Sequence, residues 1–287
     1  VVDELLLKKL IVEAPQQPQV KVIKVYRKPV KKIKVDDVVN YYISRYNQLK
    51  QYLIGRMELP NIISINKITP LLVSFSLIGI VKEKLEYDNS IILEDPTGEV
   101  KVVLERDDFE DVIEDDVIGI KCKRKEGNYH GKIIWPDIPL NREVRTSEDE
   151  AYLLIAKNLD TRMLQTVQHK RTYLLLFNTS YNGAHFINIS DYTKELPIML
   201  LLEDRIRLLI LNSEWLSQYK SLWNTTLNNV IIQLLKRRHI APKPPPEFLS
   251  VNDRFVLEEI PDIVFYITIH LFPAFQVVVC LGQDIFI

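Results

Sequence analysis

Glycine is scarce: eight among 287 residues, and after position 150 only Gly183 and Gly282. Loops that bend sharply around a metal or a phosphate depend on glycine, so the second half of the chain has little material for them. Cysteine is scarcer still. Cys122 and Cys280 stand far apart, which excludes a disulfide framework and a cysteine zinc site and suits a reducing compartment. No apolar run reaches the roughly 18–20 residues of a membrane span. The nearest, 263–287, is interrupted by His270, Pro273, Gln276 and Asp284. Net charge is −1, so no global basic field points to nucleic acid. None of the histidines has another three or four residues away, which excludes a helical metal pair. A glycine-rich phosphate loop, a nucleophile elbow and a zincin motif are all missing.

What is present is an ordinary globular composition, 47% hydrophobic and 26% charged, long enough for one large or two ordinary domains. Residues 1–34 read as a basic linker or tail. Within it "VKVIKVYRKPVKKIKV" alternates apolar residues with lysine, a pattern that also suits a lysine-protected edge strand or a tail that docks on an acidic partner or on nucleic acid. The next segment, 35–57, is helical. Asp36 or Asp37 caps it, and Val39, Tyr42, Ile43, Tyr46, Leu49 and Leu53 make one apolar face.

Strands then dominate to about Pro139, with a turn at Asp95-Pro96-Thr97-Gly98, a short acidic helix at 106–116 and a further hairpin around Gly127-Asn128. Several strands and one short helix in this length suit an OB-type barrel, so 35–140 is read as a helix plus OB domain. A barrel that binds single strands needs stacking aromatics. Phe75, Tyr87 and Tyr129 are the only candidates and are scattered, which favours a protein-docking barrel.

From 141 to 287 short apolar strands alternate with helical stretches at 160–170 and 224–238. This suggests α/β layers or a two-sheet sandwich with flanking helices. His270, inside "FYITIHLF", reads as a core histidine, and His239 as a residue at a helix C-terminus.

Five patches in order, "YYISRYNQLKQYL", "IGIV…IILEDPTGEVKVVL", "DDVIGIK", "KIIWPDIPL" and "LLKRRHIAP…EEIPDI", resemble the small subunit of archaeal family D DNA polymerase. The resemblance implies an OB domain followed by a calcineurin-like phosphoesterase domain. In active members of that family the second domain is a two-metal 3′–5′ exonuclease whose Asp and His ligands clamp a phosphate. Position by position, the family's ligands are missing here. The first metal motif falls on Lys157 and Leu159, neither of which is a usable ligand. The second falls on Thr179 and Asn182. The third falls near Glu203 and Asp204, without its Asn-His pair. The last falls on Ile267 and Thr268, with only His270 kept.

The resemblance therefore implies a degenerate, shortened phosphoesterase domain over 141–287 with no metal and no cofactor. It implies a non-catalytic accessory subunit that docks a large catalytic polymerase subunit or another replisome protein, in the cytoplasm of an archaeal cell beside the nucleoid. Trp135, Pro136, Phe265, Phe272, Phe275 and Phe286 are the residues expected to meet that partner, as apolar groups that mark interfaces. A weak DNA contact is expected through Lys31, Lys32, Lys34, Lys236, Arg237 and Arg238. The alternative is a residual metal-dependent 3′–5′ exonuclease using Asp160, Glu203, Asp204 and His270.

Overall fold

The computed structural model describes residues 20–26, 34–139, 142–147, 151–156, 171–176, 186–188, 197–244, 246–267 and 276–280. They fall into two compact units. One comprises 1–25, 143–214 and 261–287; the other comprises 26–142 and 215–260. The second unit is thus discontinuous. The sequence reading placed 215–260 in the later domain, whereas here this segment belongs with the barrel.

The barrel unit begins with helix α1 (Val35–Leu53). Asp37 accepts a hydrogen bond from the Lys34 backbone N–H at 2.9 Å, which satisfies a donor at the helix start. Five strands follow: β2 (Ser74–Leu85), β3 (Ser90–Asp95), β4 (Gly98–Leu104), β5 (Val117–Lys125) and β6 (Asn128–Ile134), with the short helix α2 (Arg106–Asp111) between β4 and β5. They close in the order β2-β3-β4-β6-β5, with β4 parallel to β6 and the other pairs antiparallel. This closed barrel fits the OB-type expectation.

Alternation along the strands sends Phe75, Leu77, Ile91, Leu93, Val102, Ile118, Ile120, Cys122 and Ile133 inward. Closure is tight at Gly131, where a Cβ would lie 2.4 Å from Ile120 Cγ2 and 2.7 Å from Val102 Cγ1. On the outside, Tyr46, Leu49 and Leu53 of α1 pack with Leu59, Ile78 and Val117. Two later helices complete the unit, α3 (Ser213–Leu222) and α4 (Leu227–Lys236). Thr226 caps α4 by accepting from the Asn229 N–H at 3.3 Å.

The other unit holds two four-stranded sheets. The first has β1 (Val20–Val25), β10 (Ile198–Leu202), β11 (Ile206–Asn212) and β12 (Ile263–Ile267), in that order. The second has β13 (Gln276–Cys280), β7 (Ala151–Ala156), β8 (Arg171–Leu176) and β9 (Phe186–Asn188). One apolar core draws on both sheets, with Leu153 and Tyr173 from one and Leu200, Leu208 and Ile210 from the other. Residues 20–25, read from the sequence as part of a linker, form an edge strand antiparallel to β10. The lysine alternation fits an edge, because charged side chains there oppose further strand addition.

Candidate functional site

Most of the positions nominated by the metal motifs, Lys157, Leu159, Thr179, Asn182, Thr268 and His270, lie outside the described residues, as does Asp160. Glu203 and Asp204 are described. Both have left-handed backbones, φ 54° and 55°, and Arg205 N–H donates to Leu202 O at 3.0 Å. Together these make a type I′ hairpin turn between β10 and β11. Glu203 accepts from Tyr173 Oη at 2.5 Å and from Ser147 Oγ at 2.8 Å. Asp204 pairs with Lys21 of the edge strand at 2.6 Å. These two carboxylates tie β8 and β1 to the hairpin. Among the described residues, no group of three or more His, Cys, Asp or Glu is placed to hold a metal.

The basic cluster 236–238 does not form the exposed DNA-contacting patch that its charge suggested. Arg237 is 2% exposed and Arg238 6%. Arg237 Nε donates to Asp116 at 3.0 Å, and its guanidinium lies 4.3 Å from the Trp135 ring and 4.6 Å from the Trp223 ring. Lys236 pairs with Asp111 and sits 5.0 Å from the same Trp135 ring. Arg238 covers Tyr52 at 3.8 Å. Cation–π contacts and ion pairing engage these charges inside the unit, with the two arginines buried and Lys236 partly exposed. Trp135 and Pro136, nominated for a partner, are likewise buried. Phe265 is half-buried against the two-sheet core. Phe272, Phe275, Phe286, Lys31 and Lys32 lie outside the described residues, and Lys34 is exposed just before α1.

A second buried network anchors the inner face of α1. Arg45 is 1% exposed. It donates to Asp253 at 2.7 Å, to the carbonyls of Pro242 at 2.7 Å and Asp115 at 3.0 Å, and to Tyr41 Oη at 2.9 Å. Asp253 also meets His239 Nε2 at 2.7 Å. Because Ala241 N–H donates to His239 Nδ1 at 3.1 Å, Nε2 is the nitrogen carrying the proton toward Asp253. Burial alone would raise the Asp253 carboxyl, but His239 and Arg45 outweigh it and hold the group well below the usual carboxylate range.

Fixing this face of α1 turns another outward. Val35, Val39 and Ile43, at helical spacing i, i+4 and i+8, are exposed by 82%, 55% and 49%. Val39 and Ile43 open onto a groove of about 590 Å³ between α1 and strands β2 and β3, lined also by Tyr42, Tyr46 and Ile80, with three acids, Glu94, Asp95 and Asp115, against one cation, Lys82. Tyr42 Oη donates to Asp115 at 3.3 Å. Burial raises the Asp115 carboxyl, against the pull of Arg45. The groove offers an apolar floor and an acidic edge, chemistry suited to an amphipathic basic segment. The sequence named Val39, Tyr42 and Ile43 but read them as packing. Arginine at position 45, a core position here, concealed which face the helix buries.

No family model matches the chain. The chain is 30% identical over 137 residues to the DNA polymerase II small subunit of Pyrococcus furiosus, a stretch covering 44% of this chain and 22% of that protein. Among solved structures, the hypothetical protein ygiW from E. coli aligns with 21% of this chain and 68% of its own at 16% identity; its TM-score of 0.18 gives it no bearing on the fold. The similarity to the polymerase small subunit is a distant relationship, confined to about a fifth of that protein's length.

Proposed function

We propose that the chain is a non-catalytic accessory subunit of a DNA polymerase, a scaffold that docks a large catalytic subunit through the groove along α1. The observation that carries this reading is the open groove: an apolar helix stripe left exposed beside a closed barrel, in a chain distantly related to a polymerase small subunit. Exposed apolar patches of this kind mark interfaces, and the acidic edge selects the occupant. A basic, amphipathic segment of the large subunit would lay its apolar face on Val39, Ile43 and Tyr46 and its cations toward Glu94 and Asp115.

The two-sheet unit fits this role as a degenerate calcineurin-like phosphoesterase domain. Two observations support that reading: Glu203 and Asp204 are committed to a hairpin and its ties, and the glycines that ligand loops need are missing. The purified chain is expected to carry essentially no manganese or zinc by elemental mass spectrometry. One or two metals per chain would replace the scaffold with a phosphoesterase.

Docking is tested by titrating a family D polymerase large subunit into the full chain. A complex is expected, and Val39→Lys with Ile43→Lys should weaken it by at least about tenfold, roughly 1.4 kcal/mol. Folding should be little affected, since exposed substitutions usually cost within about 0.5 kcal/mol. No complex at micromolar concentration, or one indifferent to both substitutions, would overturn the docking reading.

A further inference from the structure

The two strands of the β5–β6 hairpin carry lysines and no acid on their outer face, while Glu126 sits exposed in the turn that joins them. In the antiparallel register Lys121 faces Lys132, Lys123 faces His130 and Lys125 faces Asn128. Ile118, Ile120, Cys122 and Ile133, the alternate positions, point into the barrel core, so these polar residues all share the outer face. Lys123, Lys125 and Lys132 are exposed and Lys121 and His130 half-exposed. None of the five has an acidic partner among the described residues, although the chain as a whole carries 38 acidic residues against 37 lysines and arginines.

Directly opposed side chains in an antiparallel pair have Cβ atoms about 4.5–5.5 Å apart, and like charges so placed are destabilising. One such cationic pair, Lys121–Lys132, lies on this face, with Lys123 opposite His130 beside it. α1 and Leu59 cover the other end of this face, around Ile78, Val117 and Ile134, but leave the lysines open. The open part presents no large apolar or aromatic residue. That composition is opposite to a protein interface, where aromatics are enriched and lysine is depleted. It also offers nothing to insert into a bilayer. Lysine rows without base-reading groups are how proteins hold phosphates. Alternate residues on one strand recur about every 6.8 Å, so Lys121, Lys123 and Lys125 form a straight row roughly 14 Å long.

We propose that the outer face of β5–β6, through Lys121, Lys123, Lys125 and Lys132, is a binding site for the phosphate backbone of nucleic acid, without sequence preference. Unlike Arg237 and Arg238, which are buried, these lysines reach solvent. The site is independent of the docking groove, and its test fails separately from that one: Val39→Lys with Ile43→Lys leaves the lysine face untouched.

Fluorescence anisotropy of the full chain is measured with a labelled thymidine strand of about 20 nucleotides, longer than the roughly 4–16 that one small barrel covers, and with a duplex of equal length. Affinity is expected to fall with salt. For the single strand the slope of log K on log salt is about −3 if four lysines each neutralise a phosphate. Lys123→Glu with Lys132→Glu should lower affinity at least about tenfold at roughly 50 mM salt and make the slope shallower by about 1.4. Lys132→Glu converts the like-charge Lys121–Lys132 contact into an opposite-charge one, so the melting temperature should hold or rise. The uncharged pair Lys123→Gln with Lys132→Gln should fall between wild type and the glutamate pair in affinity. Lys220→Glu on α3 changes charge elsewhere on the same unit and should shift affinity less than about twofold. Unchanged affinity in both double variants, binding indifferent to salt, or capture by phosphatidylserine vesicles with neither oligonucleotide bound would overturn the proposal.

Discussion

Arg45 is the residue on which the barrel unit turns. A guanidinium 1% exposed is tolerable only when its charge is matched and its donors are used, and Asp253, Pro242, Asp115 and Tyr41 do both. Replacing Asp253 by Asn keeps the shape but leaves the cation unmatched, at a cost of about 3–5 kcal/mol in chemical denaturation. The pH dependence follows from the depressed Asp253 carboxyl. Its contribution is fully present above the unfolded carboxylate value near 3.9 and is lost as pH falls through the lower folded value. The stability gap between wild type and Asp253→Asn should therefore stay constant above roughly pH 5 and narrow below about pH 4. A gap that widens in acid would contradict the assignment. This network was not legible in the sequence, because its partners are 208 positions apart and an arginine reads as a surface residue. The nearer signals in "KRRH" were legible as charge, but charge alone does not say that Trp135 and Trp223 enclose it.

At the scale of elements, the barrel was the most legible part. Two apolar runs either side of the Asp-Pro-Thr-Gly turn mark β3 and β4, and the turn holds itself, with Thr97 N–H donating to Asp95 at 2.7 Å. What spacing did not reveal is the tightness of closure. Gly131 has no room for a methyl, so Gly131→Ala should destabilise the barrel by about 1–3 kcal/mol through overpacking, read as a lowered denaturant midpoint. Cys122, in the same core, has its thiol pushed up to about 12 by burial and stays protonated at neutral pH. In a Cys280→Ser background it should not react with a thiol reagent at about pH 8 until denaturant is added. Rapid reaction in the native state would mean the barrel is open. Helix α1 was located correctly and Tyr46, Leu49 and Leu53 were rightly read as its buried side, but Val39 and Ile43 are exposed and the helix buries Arg45 and Tyr41 in their place. β1 was legible only as an alternative, because an edge strand and a basic tail share one composition until a partner strand is known.

At the scale of the whole molecule, the division of the chain has a consequence for which fragments fold. A boundary near 140 looks natural in the sequence, after the last barrel strand and before an acidic connector. Yet the buried groups of 35–140 find their partners in 215–260: Arg45 in Asp253, Asp116 in Arg237, and Trp135 under the cations of Arg237 and Lys236. Cutting at 140 leaves a buried arginine and a buried aspartate unmatched, each worth several kcal/mol when its partner is removed, against a total of about 5–15 kcal/mol for a domain. A fragment of residues 35–140 should therefore melt without a cooperative transition. A chain joining 26–142 to 215–260 by a flexible linker should melt cooperatively, because it restores every one of those pairs. Circular dichroism of the two fragments decides it: equal cooperativity would show that the barrel needs none of the later segment, and that the ion network contributes no stability to it.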